Sequence, residues 1–306
     1  MKLRPVLVIL LLAALWPAHD AAAQDAAAQD VRRVRVAVLD MGSTPTAARV
    51  TERLSRLLAS LKIKGTALAV LDRGMGAAAA RGVGYAGSLN LTLAEARALG
   101  AAVGCDFYLT GDAQTVRRSS SARPAYFESY ASVFVVSSQT GRLVHWERPA
   151  AEADTAEEAE AALLAALEGA AQLYAAAVVF AAEREERERF AQEEVGTAAV
   201  IDLSTDEGAA ANRDLRAPAP FRRLRPVYTD AAARAEAEAT VDALVEVGAD
   251  GEVADVRVVR WAGFGLDEEV VATVRRMHFR PAQREGEPVP VRVLLRYNFR
   301  KPPRSS

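Results

Sequence analysis

The residues able to do chemistry in this chain are few, and their spacing does not assemble an enzyme site. Beyond the first 23 residues the histidines are His145 and His278, and neither stands at a metal-ligating spacing. A single cysteine, Cys105, excludes an intramolecular disulfide and a cysteine-based zinc site, and it reads as a small buried residue at a strand start. No G-x-S-x-G or comparable nucleophile motif occurs. His278, between Met277 and Phe279, is expected to be packed or to cap a helix end. The acidic pairs Glu193-Glu194 and Glu268-Glu269 read as helix surface, and a hydrolytic mechanism would instead use carboxylates of the first unit, such as Asp106 or Asp112. Gly42-Ser43-Thr44 follows a strand but lacks the lysine of a phosphate loop, so it reads as a helix cap. The glycines from Gly74 to Gly87 match no dinucleotide fingerprint and are expected to form a mobile loop. No residue set calls for a cofactor or a metal.

The elements that would position these residues belong to a globular chain. Of 306 residues, 51% are hydrophobic and 25% charged, which excludes collagen-like, disordered and multi-span membrane classes and favours two domains. The net charge is −2. Nothing global therefore calls for nucleic acid. Residues 1–23 have Lys2 and Arg4, an apolar run from Val6 to Trp16, and Ala21-Ala22-Ala23 before Gln24, the pattern of a cleaved signal peptide. The run is roughly half of what spans a bilayer, so retention as an inner-membrane anchor is the alternative. No cysteine follows it to carry a lipid. Residues 24–30, within the AAAQD repeat, read as a disordered leader.

From 31 to 195 the pattern is α+β: a mixed sheet with covering helices and a long final helix. Val34, Val36 and Val38 alternate on a strand, and Val50, Leu54, Leu57, Leu58 and Leu61 follow at helical spacing. Thr66–Leu71 reads as a strand, Thr92-Leu93-Ala94-Glu95 as a capping box, and 105–110 and 125–137 as strands. Gln139-Thr140-Gly141-Arg142 reads as a hairpin turn into Leu143–Trp146. Thr155 caps a helix reaching about Glu194. Its apolar stretch Ala162–Ala182 is interrupted by Glu168 and Gln172, so it is expected to pack on the sheet with a solvated end. Val36-Ala37-Val38-Leu39-Asp40, the segment from Ala98-Leu99-Gly100 to Thr110-Gly111, and Thr140-Gly141-Arg142-Leu143-Val144 resemble the periplasmic domains of the curli secretion protein CsgG and the N-terminal region of TolB. That resemblance implies a scaffold contacting envelope proteins.

Residues 196–218 read as a linker, since Ser204 to Pro220 has no periodicity. From 219 to 300 the texture is a small β-β-α-β unit, with 301–306 as a tail. Val241, Ala243, Val245 and Val247 share one strand face, Gly248-Ala249-Asp250-Gly251 is a hairpin turn, and Leu266, Val270, Val274 and Met277 fall at helical spacing. Asp267, Glu268 and Glu269 occupy the favourable first turn of that helix. In the last strand Val291, Val293, Leu295, Tyr297 and Phe299 alternate with Arg292, Leu294, Arg296 and Asn298.

Arg225-Pro226-Val227-Tyr228, Val245-Glu246-Val247, Asp250-Gly251-Glu252-Val253, Gly265-Leu266-Asp267, Phe279-Arg280-Pro281-Ala282 and Gly286-Glu287-Pro288-Val289 carry a resemblance to the TonB C-terminal domain over nearly its whole length. The family's Tyr-Pro is Tyr228-Thr229 here. The resemblance implies a periplasmic domain that grips a short extended segment of an outer-membrane transporter, backbone to backbone at a sheet edge. On this reading the partner-binding residues are Pro226, Tyr228, Arg292, Leu294, Arg296 and Asn298. Nine basic residues from Arg275 onward stand against Glu285 and Glu287. They either draw an acidic peptide or anionic headgroups, leaving peripheral membrane contact open, or simply keep the edge soluble.

The expectation is a non-enzymatic periplasmic adaptor that docks an envelope partner by strand pairing. A membrane-anchored energy transducer is the alternative, although 13 unclustered prolines supply no rigid spacer. An envelope glycan hydrolase using Asp106 or Asp112 is a second. Oligomeric state is open.

Overall fold

The computed structural model describes residues 32–63, 65–119, 124–192 and 200–301. The signal-peptide and leader readings for 1–30, the Glu193-Glu194 pair, residues 196–199 and the end of the tail lie outside the described residues. The first sheet is built on β1 (Arg32–Val38), which pairs in parallel with β2 (Thr66–Val70) on one side and β3 (Phe107–Arg118) on the other. Antiparallel to β3 runs β4 (Tyr126–Ser137), whose far edge holds β5 (Leu143–Glu147) and β6 (Ala150–Ala153). The sheet is mixed, as the sequence pattern predicts.

Four helices cover it. Helix α1 (Pro45–Ser60) starts where the Thr44 hydroxyl accepts the Ala47 N–H, with proline at the first position. The expected loop after Gly74 is instead helix α2 (Arg73–Gly82), capped by the Asp72 carboxylate on Met75 N. Four consecutive alanines, 77–80, offset the helix cost of its glycines. Helix α3 (Leu93–Val103) has the Thr92/Glu95 capping box and ends at Gly104 with φ 76°. Helix α4 (Ala156–Gln192) is long and apolar enough to cross a membrane. Its inner side nevertheless packs on the sheet through Leu163, Leu167, Tyr174 and Val178.

Strand alternation splits the sheet into two faces. Val36, Val38, Phe107, Leu109, Val133 and Val135 point to α1 and α4. The intervening Ala37, Leu39, Tyr108, Phe134 and Val136 point the other way. There α2 and α3 cover only part of the face, and the C-terminal unit covers the rest.

That unit has the strands β7 (Ile201–Asp202), β8 (Ala219–Pro220), β9 (Ala239–Val247), β10 (Val253–Arg260), β11 (Phe279–Arg280), β12 (Ala282–Arg284), β13 (Glu287–Val289) and β14 (Val291–Phe299). Its helices are α5 (Asp206–Ala211), α6 (Asp230–Ala235) and α7 (Leu266–Val274). The main sheet has the order β10-β9-β14-β7. Leu266, Val270 and Val274 of α7 are buried against Val241, Ala243 and Val245 of β9. The linker expectation fails over 200–218. Here β7 pairs with β14, α5 is capped by Thr205, and Arg216 bridges to Gln283. Two-residue strands held by distant partners leave no periodicity to read.

The two sheets share one core. Phe134 of β4 stacks on Trp261 with ring centroids 5.8 Å apart and meets Phe264 edge-on at 5.4 Å. Trp261 Nε1 donates to Gly141 O at 3.1 Å. Asn90, ahead of α3, donates from Nδ2 to Thr240 O and Trp261 O and accepts the Thr240 N–H, so its amide is fully used. Gly263 has φ 71°, and a Cβ there would lie 2.3 Å from Phe134 Cε1, so this turn accepts only glycine. Asp267 closes the arrangement by accepting the N–H groups of Ala262 and Gly263 at 2.9 and 2.8 Å.

Burial pushes the Asp267 carboxyl up to about 7, against those two hydrogen bonds. A folded-state value raised above the unfolded one means the native state holds the extra proton between them. The contribution of Asp267 to stability is therefore fully present near pH 4 and is lost as pH rises toward 7, by roughly 4 kcal/mol, against the opposite trend of carboxyls held low by arginines such as Asp242. Burial raises Asp112 in the same direction, so the isolating comparison is Asp267→Asn. Denaturant titrations at several pH values are expected to show a flatter profile between pH 4 and 7 for the variant. Phe134→Ala is expected to cost about 3–5 kcal/mol, with tryptophan fluorescence and far-ultraviolet circular dichroism reporting one coincident transition for both units.

Candidate functional site

The C-terminal sheet has an open edge at β14. The register with β9 runs unbroken from Val291↔Val247 to Phe299↔Ala239. On the opposite side β7 covers only the start, where Leu203 N donates to Arg292 O at 2.8 Å and Ile201 N to Pro290 O. In a strand, the N–H and C=O of one residue point to one edge and those of the next to the other. The carbonyl of Arg292 faces β7, so the backbone groups of Leu294, Arg296 and Asn298 face the open edge. No strand among the described residues pairs with them.

The side chains of this even-numbered set lie on the solvent face of the sheet, and the arginines are already engaged. Arg292 reaches Glu246 across the strand pair at 2.5 Å and Asp202 at 3.6 Å. Arg296 grips Asp242 through Nε and Nη2, at 2.7 and 3.0 Å, and Arg260 adds a contact at 3.4 Å. Burial alone would raise the Asp242 carboxyl, but Arg296 and Arg260 outweigh it and hold the group below its usual range. Of the basic residues counted from Arg275 onward, the two on this strand, Arg292 and Arg296, are thus neutralised by acids of β9, which only the register places opposite. Asn298 accepts from the Thr240 hydroxyl at 2.8 Å. Leu294 alone of the set is an exposed apolar side chain.

Pro226 and Tyr228 take a different place. The Tyr228 hydroxyl lies 2.8 Å from Ala237 O and 3.1 Å from Ala232 O, and its ring lies beside Phe299. Thr229, where the family has proline, caps α6 on Ala232 N and donates to Phe264 O. Tyr228 thus braces the end of β14, and neither it nor Pro226 lines the adjoining groove.

That groove, of about 710 Å³, runs beside the open edge. Val293, Leu295 and Tyr297 of β14 form one side with Met277 and Phe279, and Leu203, Leu215 and Leu224 form the other. Arg213 and Arg223 line it without an ion pair among the described residues. Sequence reasoning missed the Leu203 and Leu215 part of this wall, because it lies in the stretch 196–218 read as a linker.

The candidate acids of the first unit are not brought together. Asp106 is held by Arg35 at 2.7 Å, whereas Asp112 is half-buried beside Gln114 and Tyr130. Six residues along an extended chain separate them by about 20 Å, well beyond the spacing of a glycosidase pair. Nor is His278 packed: it is exposed, with Nδ1 2.8 Å from the Glu252 carboxylate. Cys105 is buried, as expected, near the Ser138 hydroxyl. No cluster of metal-binding side chains occurs among the described residues.

The backbone directions make a sharp prediction. Leu294→Pro removes an N–H that faces the open edge, so the melting temperature is expected to change by only a few degrees. Val293→Pro removes one that faces β9 and is expected to cost about 1–3 kcal/mol or more, as read by denaturant unfolding.

Comparison with known proteins places the edge and much of the groove in a known domain. Residues 225–300 match the family model described as Gram-negative bacterial TonB protein C-terminal. Comparison with curated proteins finds no match. Among solved structures, the Pseudomonas aeruginosa TonB C-terminal domain is similar at 22% identity, covering 35% of this chain and 100% of that one, with a TM-score of 0.26. The hypothetical protein CT253 from Chlamydia trachomatis is similar at 13% identity, covering 45% and 98%, with a TM-score of 0.31. The PelC dodecamer from Paraburkholderia phytofirmans is similar at 11% identity, covering 46% and 89%, with a TM-score of 0.27. The segment 225–300, which supplies β9, β10, α7 and the open edge of β14, is the part of the chain that matches the TonB C-terminal family.

Proposed function

We propose that this chain is a non-enzymatic periplasmic adaptor that captures an extended segment of an envelope protein, such as an outer-membrane transporter, as an added strand on β14. The observation that carries this reading is the run of backbone groups at Leu294, Arg296 and Asn298 facing an unpaired edge beside an apolar groove. An incoming strand completes hydrogen bonds the edge already presents and seats alternate side chains against Leu295, Tyr297 and Leu215, which gives affinity and selectivity together. Arg213 and Arg223 favour a segment with acidic residues. The arginines of β14 itself serve solubility, since their charges are spent on Asp242 and Glu246. The first unit holds the C-terminal domain through Phe134, Trp261 and Asn90, which suits a scaffold.

The test is a nuclear magnetic resonance titration with a synthetic peptide from the periplasm-facing segment of an outer-membrane transporter. New amide exchange protection at Leu294, Arg296 and Asn298 is expected, together with at least a tenfold loss of affinity in Leu294→Pro. Shifts confined to other surfaces, or undiminished binding by Leu294→Pro, would remove the strand-addition reading.

A further inference from the structure

Helix α4 carries an apolar face that nothing in the described chain covers. Opposite its packed side, Ala162, Ala165, Gly169, Leu173, Ala176 and Phe180 recur at three- and four-residue spacing and are all exposed. Leu173 is 53% and Phe180 61% exposed. Along that line no charged residue intervenes between Glu158 and Glu183. A helix on a soluble surface ordinarily shows a polar outer face, and along this line polar groups are missing over about 27 Å of helix, with the exposed Glu168 and Gln172 flanking it.

The distribution along the face is uneven in a useful way. Its N-terminal half is small, with Ala162, Ala165 and Gly169, whereas the C-terminal half has the bulky Leu173 and Phe180. Two copies of α4 laid antiparallel about a two-fold axis between Gly169 and Leu173 set Leu173 over Gly169, Phe180 over Ala162 and Ala176 against Ala166. Each projection then meets a gap, which close packing requires. The same register brings Glu158 of one copy to the end of the other that holds Arg187, beside Arg184, which pairs with Glu188 of its own helix. Glu158 and Arg187 make no ion pair among the described residues, so they are free to pair across copies, beside the Glu183 carboxylate. A parallel arrangement fails both tests, because it stacks Phe180 on Phe180 and Glu158 on Glu158.

We infer that this face is a homodimer interface in which two copies pair through α4, antiparallel, in that register. This goes beyond the docking role and does not depend on it. A helix pair of about 27 Å by 10 Å buries less than the roughly 800 Å² per partner of a standard interface, so the dimer is weak and forms with rising concentration. Because the contact is two-fold symmetric, each dimer presents two β14 edges and can hold a paired ligand with avidity.

Sedimentation velocity of the purified protein over a concentration series tests this. The sedimentation coefficient is expected to climb from the monomer to the dimer value, and Phe180→Glu or Ala165→Glu, both at exposed positions, to hold it at the monomer value with unchanged melting temperature. Glu158→Arg is expected to weaken the dimer, and the added Arg187→Glu to restore it. Leu294→Pro, which blocks the strand edge, is expected to leave dimerisation intact; if it abolishes the dimer, the contact belongs to β14 and the inference fails. A protein monomeric throughout overturns the inference, as does a dimer indifferent to Phe180→Glu. Failure of the charge exchange to restore pairing overturns the antiparallel register. A monomer that instead floats with phosphatidylethanolamine–phosphatidylglycerol vesicles, and loses this in Phe180→Glu, assigns the face to a membrane and overturns the dimer.

Discussion

Trp261, buried against Phe134 and hydrogen-bonded to Gly141, is the point through which the two sheets are fixed to one another. Apolar contact alone would not orient it, since the hydrophobic effect has no direction. Direction comes from two polar devices and one steric one around the same turn: the Asn90 amide on Thr240 and Trp261, the Asp267 carboxylate on Ala262 and Gly263, and the missing side chain of Gly263 under the Phe134 ring. Thr240 lies in β9, and β9 sets the register of β14. The position of the open edge relative to the first sheet therefore follows from how this turn is held.

Two buried aspartates show how surroundings of opposite character shape the domain. Asp267 receives only neutral backbone donors, so desolvation wins and its proton is held near neutrality. Asp242 receives two guanidinium groups, so charge wins over desolvation and it stays ionised. The first secures a turn, and the second ties β10, β9 and β14 together on the solvent face through Arg260 and Arg296. A sheet edge with this much paired charge remains soluble while its backbone groups stay available.

The edge itself is partly managed by the chain's own β7, which pairs with Val291 and Arg292 and stops. Beyond it, the segment from Leu203 to Leu224 bends away and forms the far side of the groove rather than a fourth full strand. This division protects the start of β14 and leaves the remainder open to a partner. It also explains why a stretch with linker composition is structurally necessary: without it the inner faces of Val293, Leu295 and Tyr297 would lose one wall.

Much of this molecule was legible in its sequence, and the boundary has a physical cause. Patterns carried by consecutive residues agree with the structure: the Val34–Val38 alternation, the Thr92 capping box, the hairpin at Gly248–Gly251, the helical spacing of Leu266, Val270 and Val274, and the alternation of β14. These depend on side-chain direction and capping, which act within a few residues. What the sequence left unsettled involves partners far along the chain. The α2 helix in place of a loop is the local exception, decided by alanines outweighing glycines. Arg292 and Arg296 meet Glu246 and Asp242 only through the register of β14 on β9. Tyr228 takes its surroundings from the end of β14 beside it, and residues 201–202 become a strand only because β14 is there to pair with. Nothing local in Asn90 or Gly263 announces a junction, because each is ordinary in its own segment: Asn90 acquires its role from Thr240 and Trp261, 150 and 171 residues away, and Gly263 from the ring of Phe134. Local chemistry determined the elements; the choice of which polar group meets which was decided by tertiary packing, where burial makes an unpaired group costly and so selects its partner.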